Sequence, residues 1–355
     1  MSQDGASAAA DALLAEASVL VIVGTGGVGK TTLTAALGVR AAQRHGRRVL
    51  VVTIDPARRL ADALGTGPVS GSPVVVPIES GKGRLWASMV EMASSWDGLV
   101  RRLASTKDAR ALLANPLYRG LTRGFTQSHA YIALDHLCDM AEDDSYDLIL
   151  IDTPPSTHAI DVLDAPDLMI EFFDSRLLRW LTAPYRSRLA QATSRPFLAV
   201  AERMLGGPFL ARIAEFFWLF SKLQPGFVAR AKEVKRRLRD PATGYVVITT
   251  SDPAAVDQTR LLLDGLTARR HEPSLVIQNR ALPAPDAASL AAISDPSLLV
   301  AIEQLIDRDR GSGEVISSRL TSAAETLSVP WSDDELRSVA DLAALLNRSI
   351  TESGM

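Results

Sequence analysis

An α/β fold, with a mostly parallel sheet flanked by helices and an α-helical insertion, is what this 355-residue sequence predicts, on three observations. Short runs rich in Val, Ile and Leu recur between helical patterns, at 19–23, 49–54, 84–89, 148–151, 245–250, 275–278 and 326–329. Continuous apolar strands of that kind are buried on both faces, as in a parallel sheet covered by helices. A glycine-rich segment, 24–32, stands directly between the first run and a helical pattern. From 164 to 239 the strand rhythm stops and helical periodicity replaces it.

The first strand, Val19-Leu20-Val21-Ile22-Val23, runs into Gly24-Thr25-Gly26-Gly27-Val28-Gly29-Lys30-Thr31-Thr32, and the helical pattern 33–42 follows. This strand, loop and helix make the fold a P-loop NTPase. Successive backbone N–H groups of such a loop point inward, and the helix dipole adds positive potential where phosphates sit. Gly24 to Thr32 are therefore the expected nucleotide-binding run, with Lys30 reaching the β- and γ-phosphates of ATP and the Thr31 hydroxyl holding Mg²⁺.

Several of the later strands end in polar residues: Thr53-Ile54-Asp55, Asp152-Thr153, Thr249-Thr250-Ser251-Asp252 and Asn279. Ligands of open α/β sheets bind at the carboxyl ends of the strands, so these tips are expected to converge on the phosphate loop. Asp55, ahead of Pro56, has two readings: a carboxylate that orients water for attack on the γ-phosphoryl group, or a helix cap. Asp152 closes the apolar run Leu148-Ile149-Leu150-Ile151 as a Walker B aspartate does, and would hold Mg²⁺ directly or through water; capping of a strand end is its bland alternative. Asn279 could bond an adenine edge by donating and accepting at once, or simply form a turn.

In the helical stretch, 209–223 places Phe209, Ile213, Phe216, Phe217, Phe220 and Leu223 on one face, against a polar stripe of Arg212, Glu215 and Lys222. The stretch 170–181 repeats the pattern with Ile170, Phe173, Leu177, Leu178 and Leu181. The organisation expected is an ATPase core at 1–163 and 240–355 with an α-helical subdomain at 164–239. Stretches rich in Pro, Gly and Ser at 65–77 and 280–285 read as surface loops.

Composition narrows the partners. A formal net charge of −3 and a pI near 6.0 provide no electrostatic footprint for nucleic acid. The single cysteine, Cys138, excludes a disulfide framework or a paired-cysteine metal site within one chain, and it reads as a small core residue on a helix with Tyr131, Leu134 and Leu137. The first residues lack a basic start followed by an apolar stretch, and no apolar run reaches membrane-spanning length, so a cytoplasmic location without an integral membrane segment is expected.

These motifs resemble the ArsA-type anion-transporting ATPases, relatives of the factor that targets tail-anchored membrane proteins, and most nearly a bacterial ArsA-like subgroup. The family's loop Gly-Lys-Gly-Gly-Val-Gly-Lys-Thr-Thr is similar to Gly24–Thr32. Its Thr-Asp-Pro-Ala segment with a following Leu-x-Asp is similar to Ile54-Asp55-Pro56-Ala57 and Leu60-Ala61-Asp62, and its Asp-Thr-Ala-Pro-Thr-Gly-His is similar to Asp152 through His158. The resemblance implies an ATPase with a deviant Walker A loop, a nucleotide-gated dimer, and an apolar helical subdomain that handles a hydrophobic client protein or lipid-like ligand. It assigns the attacking water to Asp55, metal binding to Thr31, Asp152 and Asp55, and adenine to Asn279.

Position 25 departs from the pattern, with Thr25 where the family carries a lysine that crosses the dimer interface. A homodimer is then expected to turn over slowly, unless Arg58 substitutes or an ArsA-like paralogue in a heterodimer supplies the lysine. A nucleotide-binding regulatory subunit is the alternative. Thr157 replaces a glycine of the second motif, and the family's zinc- and arsenite-binding cysteines are absent.

Overall fold

The computed structural model describes residues 3–54, 59–79, 81–124, 126–154, 161–176, 207–282, 290, 293–320, 324–332, 336 and 338–351. Eight strands form one sheet: β1 (Val19–Gly24), β2 (Arg48–Thr53), β3 (Val74–Val76), β4 (Arg84–Met89), β5 (Leu148–Asp152), β6 (Thr243–Thr249), β7 (Leu275–Ala281) and β8 (Glu325–Pro330). Their order is β3-β4-β2-β5-β1-β6-β7-β8, and every neighbouring pair is parallel except β3 with β4.

The central strands are the most apolar ones. β1, β5 and β6 are buried along their whole length, as strands covered on both faces must be. The helix Gln3–Glu16, the helix Lys30–His45 and the helix Val339–Thr351 share one core with them, through Leu14, Leu33, Leu37, Leu342, Leu345 and Leu346. No helix among the described residues is long and apolar enough to cross a membrane.

Two surface-loop expectations are corrected. The stretch 65–77 contains the edge strand β3, whose three valines pair antiparallel with Leu85, Trp86 and Ala87. A run this short has no period of its own, and only its partner defines it. The stretch 280–285 begins inside β7, because Arg280 and Ala281 continue that strand through a register shift against β8. Arg280 takes φ 57°, the irregularity that hid the strand's end.

Contacts divide the chain into two units. The sheet unit comprises Met1–Val90, Met140–Ile160 and Arg239–Met355, and the helical unit comprises Glu91–Asp139 and Asp161–Leu238. The helical unit thus takes in the helices Met92–Leu103, Thr106–Ala114 and Pro116–Gly124 and most of Thr126–Ala141, which lie outside the stretch 164–239. Its core is aromatic: Phe227 lies 4.9 Å from Phe173 and 5.8 Å from both Trp96 and Tyr131, and Phe173 stacks on Phe220 at 5.1 Å. Phe216, Phe220 and Leu223, which the periodicity placed on one face, are all buried in this core. Cys138 is buried on the helix Thr126–Ala141 with Tyr131, Leu134 and Leu137.

Candidate nucleotide site

β1 ends at Gly24 and the next helix starts at Lys30, so the chain must turn sharply between them. Gly27 (φ 80°) and Gly29 (φ 95°) make that turn in the left-handed region, where any other residue is strained. Gly24 answers a different constraint: a Cβ there would lie 2.3 Å from the carbonyl oxygen of Ile248 on β6. Gly26 and Gly27 are exposed at the outside of the turn, while Thr25 and Val28 are buried. Thr31 and Thr32 open the helix, whose N-terminus is a ready anion site.

Lys30 is 6% exposed and turned back into the loop. Its Nζ donates to Gly24 O at 3.0 Å and to Thr25 O at 2.7 Å. These carbonyls compensate a charge that burial alone would heavily disfavour.

The parallel register builds the other half of the site. Asp152, at the end of β5, lies opposite Thr53 of β2 and Ile22 of β1. Thr53 Oγ1 donates to Asp152 Oδ2 at 3.0 Å, and Thr31 Oγ1 donates to the same oxygen at 2.7 Å. Next along the chain, Thr153 Oγ1 donates to Ile22 O at 2.7 Å, which fixes the direction in which β5 leaves the sheet. Asp152 is 1% exposed, so two hydroxyls support a deeply desolvated carboxylate.

This donor set fits Mg²⁺. A hydroxyl and a carboxylate are hard oxygen ligands, and Mg²⁺ commonly takes only one or two protein oxygens and completes its shell with waters and substrate phosphates. The helix N-terminus and the Lys30 ammonium likewise fit a phosphate chain.

Asn279 lies at the far side of the loop. Its Nδ2 donates to Val28 O at 2.8 Å, and the residue is 8% exposed. The ends of β5 and β7 thus meet the loop, and the end of β2 joins them through Asp152. Asp55, Arg58, Thr157 and His158 lie outside the described residues. The sequence reading noted Thr53 and Thr153 as polar tips without assigning them a role. Their partners follow from strand register, a relation between segments far apart in sequence.

A family model described as Anion-transporting ATPase matches residues 17–294. The uncharacterized protein SCO2128 of Streptomyces coelicolor is 31% identical over 273 residues, covering 74% of this chain and 62% of its own length. ATPase GET3B of Arabidopsis thaliana is 27% identical over 285 residues, covering 73% of this chain and 63% of its own. The ATPase ASNA1 homolog of Entamoeba histolytica is 28% identical over 156 residues, or 42% of this chain and 46% of its own. The chain therefore spans less than two thirds of the length of each of these relatives. With a mostly parallel eight-stranded sheet in place and residues 17–294 matched by the family model, the chain belongs to the anion-transporting ATPase family.

Proposed function

We propose that the chain binds ATP with Mg²⁺ and hydrolyses it to ADP and phosphate, working as a nucleotide-gated dimer. The observation that carries this reading is the meeting of Lys30, Thr31 and Asp152 at one helix N-terminus. The names of two relatives, ATPase GET3B and ATPase ASNA1 homolog, agree with it.

Bound Mg²⁺ would stabilise negative charge on the phosphoryl oxygens as the terminal phosphate is transferred. The chain's own residues do the positioning. The N–H groups of Gly26 to Thr32 hold the phosphates, and Lys30 Nζ exchanges the carbonyls of Gly24 and Thr25 for phosphate oxygens. Thr31 Oγ1 and Asp152 hold the metal, and Thr53 keeps the Asp152 carboxylate oriented. Asp55, two positions after the end of β2 in the sequence, is assigned to orient the attacking water and to bind the metal. Asn279 acts at the same site from β7.

Thr25 supports a second reading. Its side chain is neutral and short, and it stands where the resembling family has a lysine directed across the dimer. The partner is then a second copy in a slow homodimer, or a lysine-bearing paralogue for which this chain is the regulatory subunit. A hydrophobic client protein or lipid-like ligand is assigned to the helical unit. Since Phe216, Phe220 and Leu223 already fill that unit's own core, such a client would have to engage other surfaces or open the core.

Calorimetry and phosphate release on two variants test the proposal. Lys30→Ala removes charge-assisted bonds worth about 1.5–3 kcal/mol and should weaken ATP binding about tenfold or more. Asp55→Asn should keep binding and lose most hydrolysis. Parental affinity and turnover in Lys30→Ala would overturn the site, and parental turnover in Asp55→Asn would overturn the water-orienting role.

A further inference from the structure

We propose that the exposed half of the helix Pro296–Ser317 is a docking surface for a basic, amphipathic segment of a partner protein. This occupant is distinct from the second copy and the hydrophobic client considered above.

The helix has two unlike halves. Its C-terminal half is anchored: Asp309, Ser312 and Ile316 are buried, Asp309 accepts from Gln278 Nε2 and from the Leu282 N–H, both at 3.3 Å, and Ser312 Oγ donates to Ser251 O at 3.2 Å. No residue from 293 to 308 is buried. That stretch nonetheless carries an apolar stripe. Leu298, Leu299, Ile302, Leu305 and Ile306 recur at three- and four-residue steps, and Leu298 and Leu305 are 51% and 43% exposed. A helix draws most of its stability from burying such a face, and here about 20 Å of it is left unburied.

The charge beside the stripe selects what covers it. Glu303 and Asp307 stand one turn apart along one edge, Ala301 and Gln304 line the other, and no Lys or Arg occurs from 293 to 307. Neither carboxylate forms an ion pair with a described residue. Like charges one turn apart repel, and a cation from outside relieves that repulsion. A contact between two copies would bring no cation to this edge, since the same surface serves both sides. A helix lying on a membrane carries Lys and Arg beside its apolar face, and this stretch has neither. A partner helix with apolar residues at i, i+3, i+4 and i+7 and Lys or Arg along one flank answers both features, with its apolar face on the stripe and its cations on Glu303 and Asp307.

Fluorescence anisotropy on the full chain tests the surface, with a labelled amphipathic peptide of leucine and lysine and its leucine–glutamate counterpart as probes. The wild type should bind the lysine peptide and not the glutamate one, and hydrogen exchange should slow at 298–306 when the lysine peptide is bound. Leu298→Ser with Leu305→Ser, and Glu303→Lys with Asp307→Lys, should each weaken the lysine peptide about tenfold or more. All four positions are exposed, so both double variants should keep a thermal midpoint near the parental one. No binding of the lysine peptide, equal binding of both peptides, slowed exchange only elsewhere on the chain, or parental affinity in either variant would overturn the docking surface. Two further results would overturn it in favour of another occupant. Slowed exchange at 298–306 that grows with protein concentration in the absence of peptide would mark a second copy. Flotation of the wild type with vesicles of phosphatidylcholine and phosphatidylglycerol, lost in the double serine variant, would mark a membrane.

Discussion

Thr31 Oγ1 and Asp152 Oδ2 lie 2.7 Å apart although 121 positions separate them in the chain. The contact joins the first turn of the phosphate-loop helix to the end of β5, and Thr53 of β2 completes it from the other side at 3.0 Å. A desolvated carboxylate is unfavourable in itself, and here two hydroxyls are its hydrogen-bond donors.

That relationship separates metal binding from folding in Asp152→Asn. The variant keeps an oxygen that both hydroxyls can bond while removing a buried charge, the residue being 1% exposed. Its thermal midpoint without metal should not fall, whereas the gain in nucleotide affinity on adding Mg²⁺ should shrink about tenfold or more. Differential scanning fluorimetry and calorimetry read the two quantities. An unchanged Mg²⁺ dependence would remove Asp152 from the metal site.

Thr25 is 5% exposed, and its backbone carbonyl accepts from Lys30 Nζ at 2.7 Å. Its side chain, a neutral hydroxyl, carries no charge that could act on a partner's phosphates. Without a lysine-bearing partner the chain should turn over well below the order of 10 s⁻¹ that is the enzyme median. Thr25→Lys should raise steady-state turnover of the homodimer at least about tenfold, since a transition-state cation contributes on the order of 10³ to 10⁵ in the arginine-finger case. Affinity for nucleotide in the monomer should change little, because the new charge acts only in the closed dimer. Brisk turnover by the wild type alone would sink this idea and point to Arg58 as the replacement cation.

Asp11 predicts how the sheet unit responds to acid. Burial raises its carboxyl pKa, but hydrogen bonds from Arg40 and His45 and the charges of Arg40 and Arg44 outweigh burial, and the net shift is downward. The Arg40 guanidinium holds both carboxylate oxygens, at 2.7 and 2.8 Å. A group whose pKa is lower folded than unfolded contributes stability above its unfolded value, and that contribution is lost as pH falls toward the folded value. Asp11→Asn should be less stable than the wild type by about 1 kcal/mol near neutrality, with the difference narrowing only below about pH 4. Urea unfolding at pH 7, 5 and 3.5 measures this. A difference that stays constant across all three would show that packing, and not the ion pair, sets it.

Much of the site is legible in short stretches of chain. Gly24 to Thr32 announces its turn because the left-handed positions at 27 and 29 demand glycine and a buried strand and a helix must flank them. The apolar runs of β1, β5 and β6 announce themselves because strands buried on both faces have no polar positions to interrupt them. β3 was not legible, since three valines at a sheet edge show no period and take their identity from β4. Nor was the full extent of the helical unit. The helices from Met92 onward are amphipathic on their own account, and only the burial of Trp96 and Tyr131 around Phe227 assigns them to the same core as Phe173 and Phe220.

The fold class, the glycine-rich turn at 24–32 and the acidic residue that closes β5 are written in short stretches of chain, because each depends on residues adjacent in sequence and on local geometry. Which side chains touch follows only from the packing of distant segments. Strand register set Thr53 against Asp152, the loop between β1 and its helix brought Thr31 to the same oxygen, and the end of β7 placed the Asn279 amide on the Val28 carbonyl. Register and bulges are properties of pairs of distant segments, settled by the packing of a whole sheet. A single stretch of residues carries no record of which neighbour it will meet.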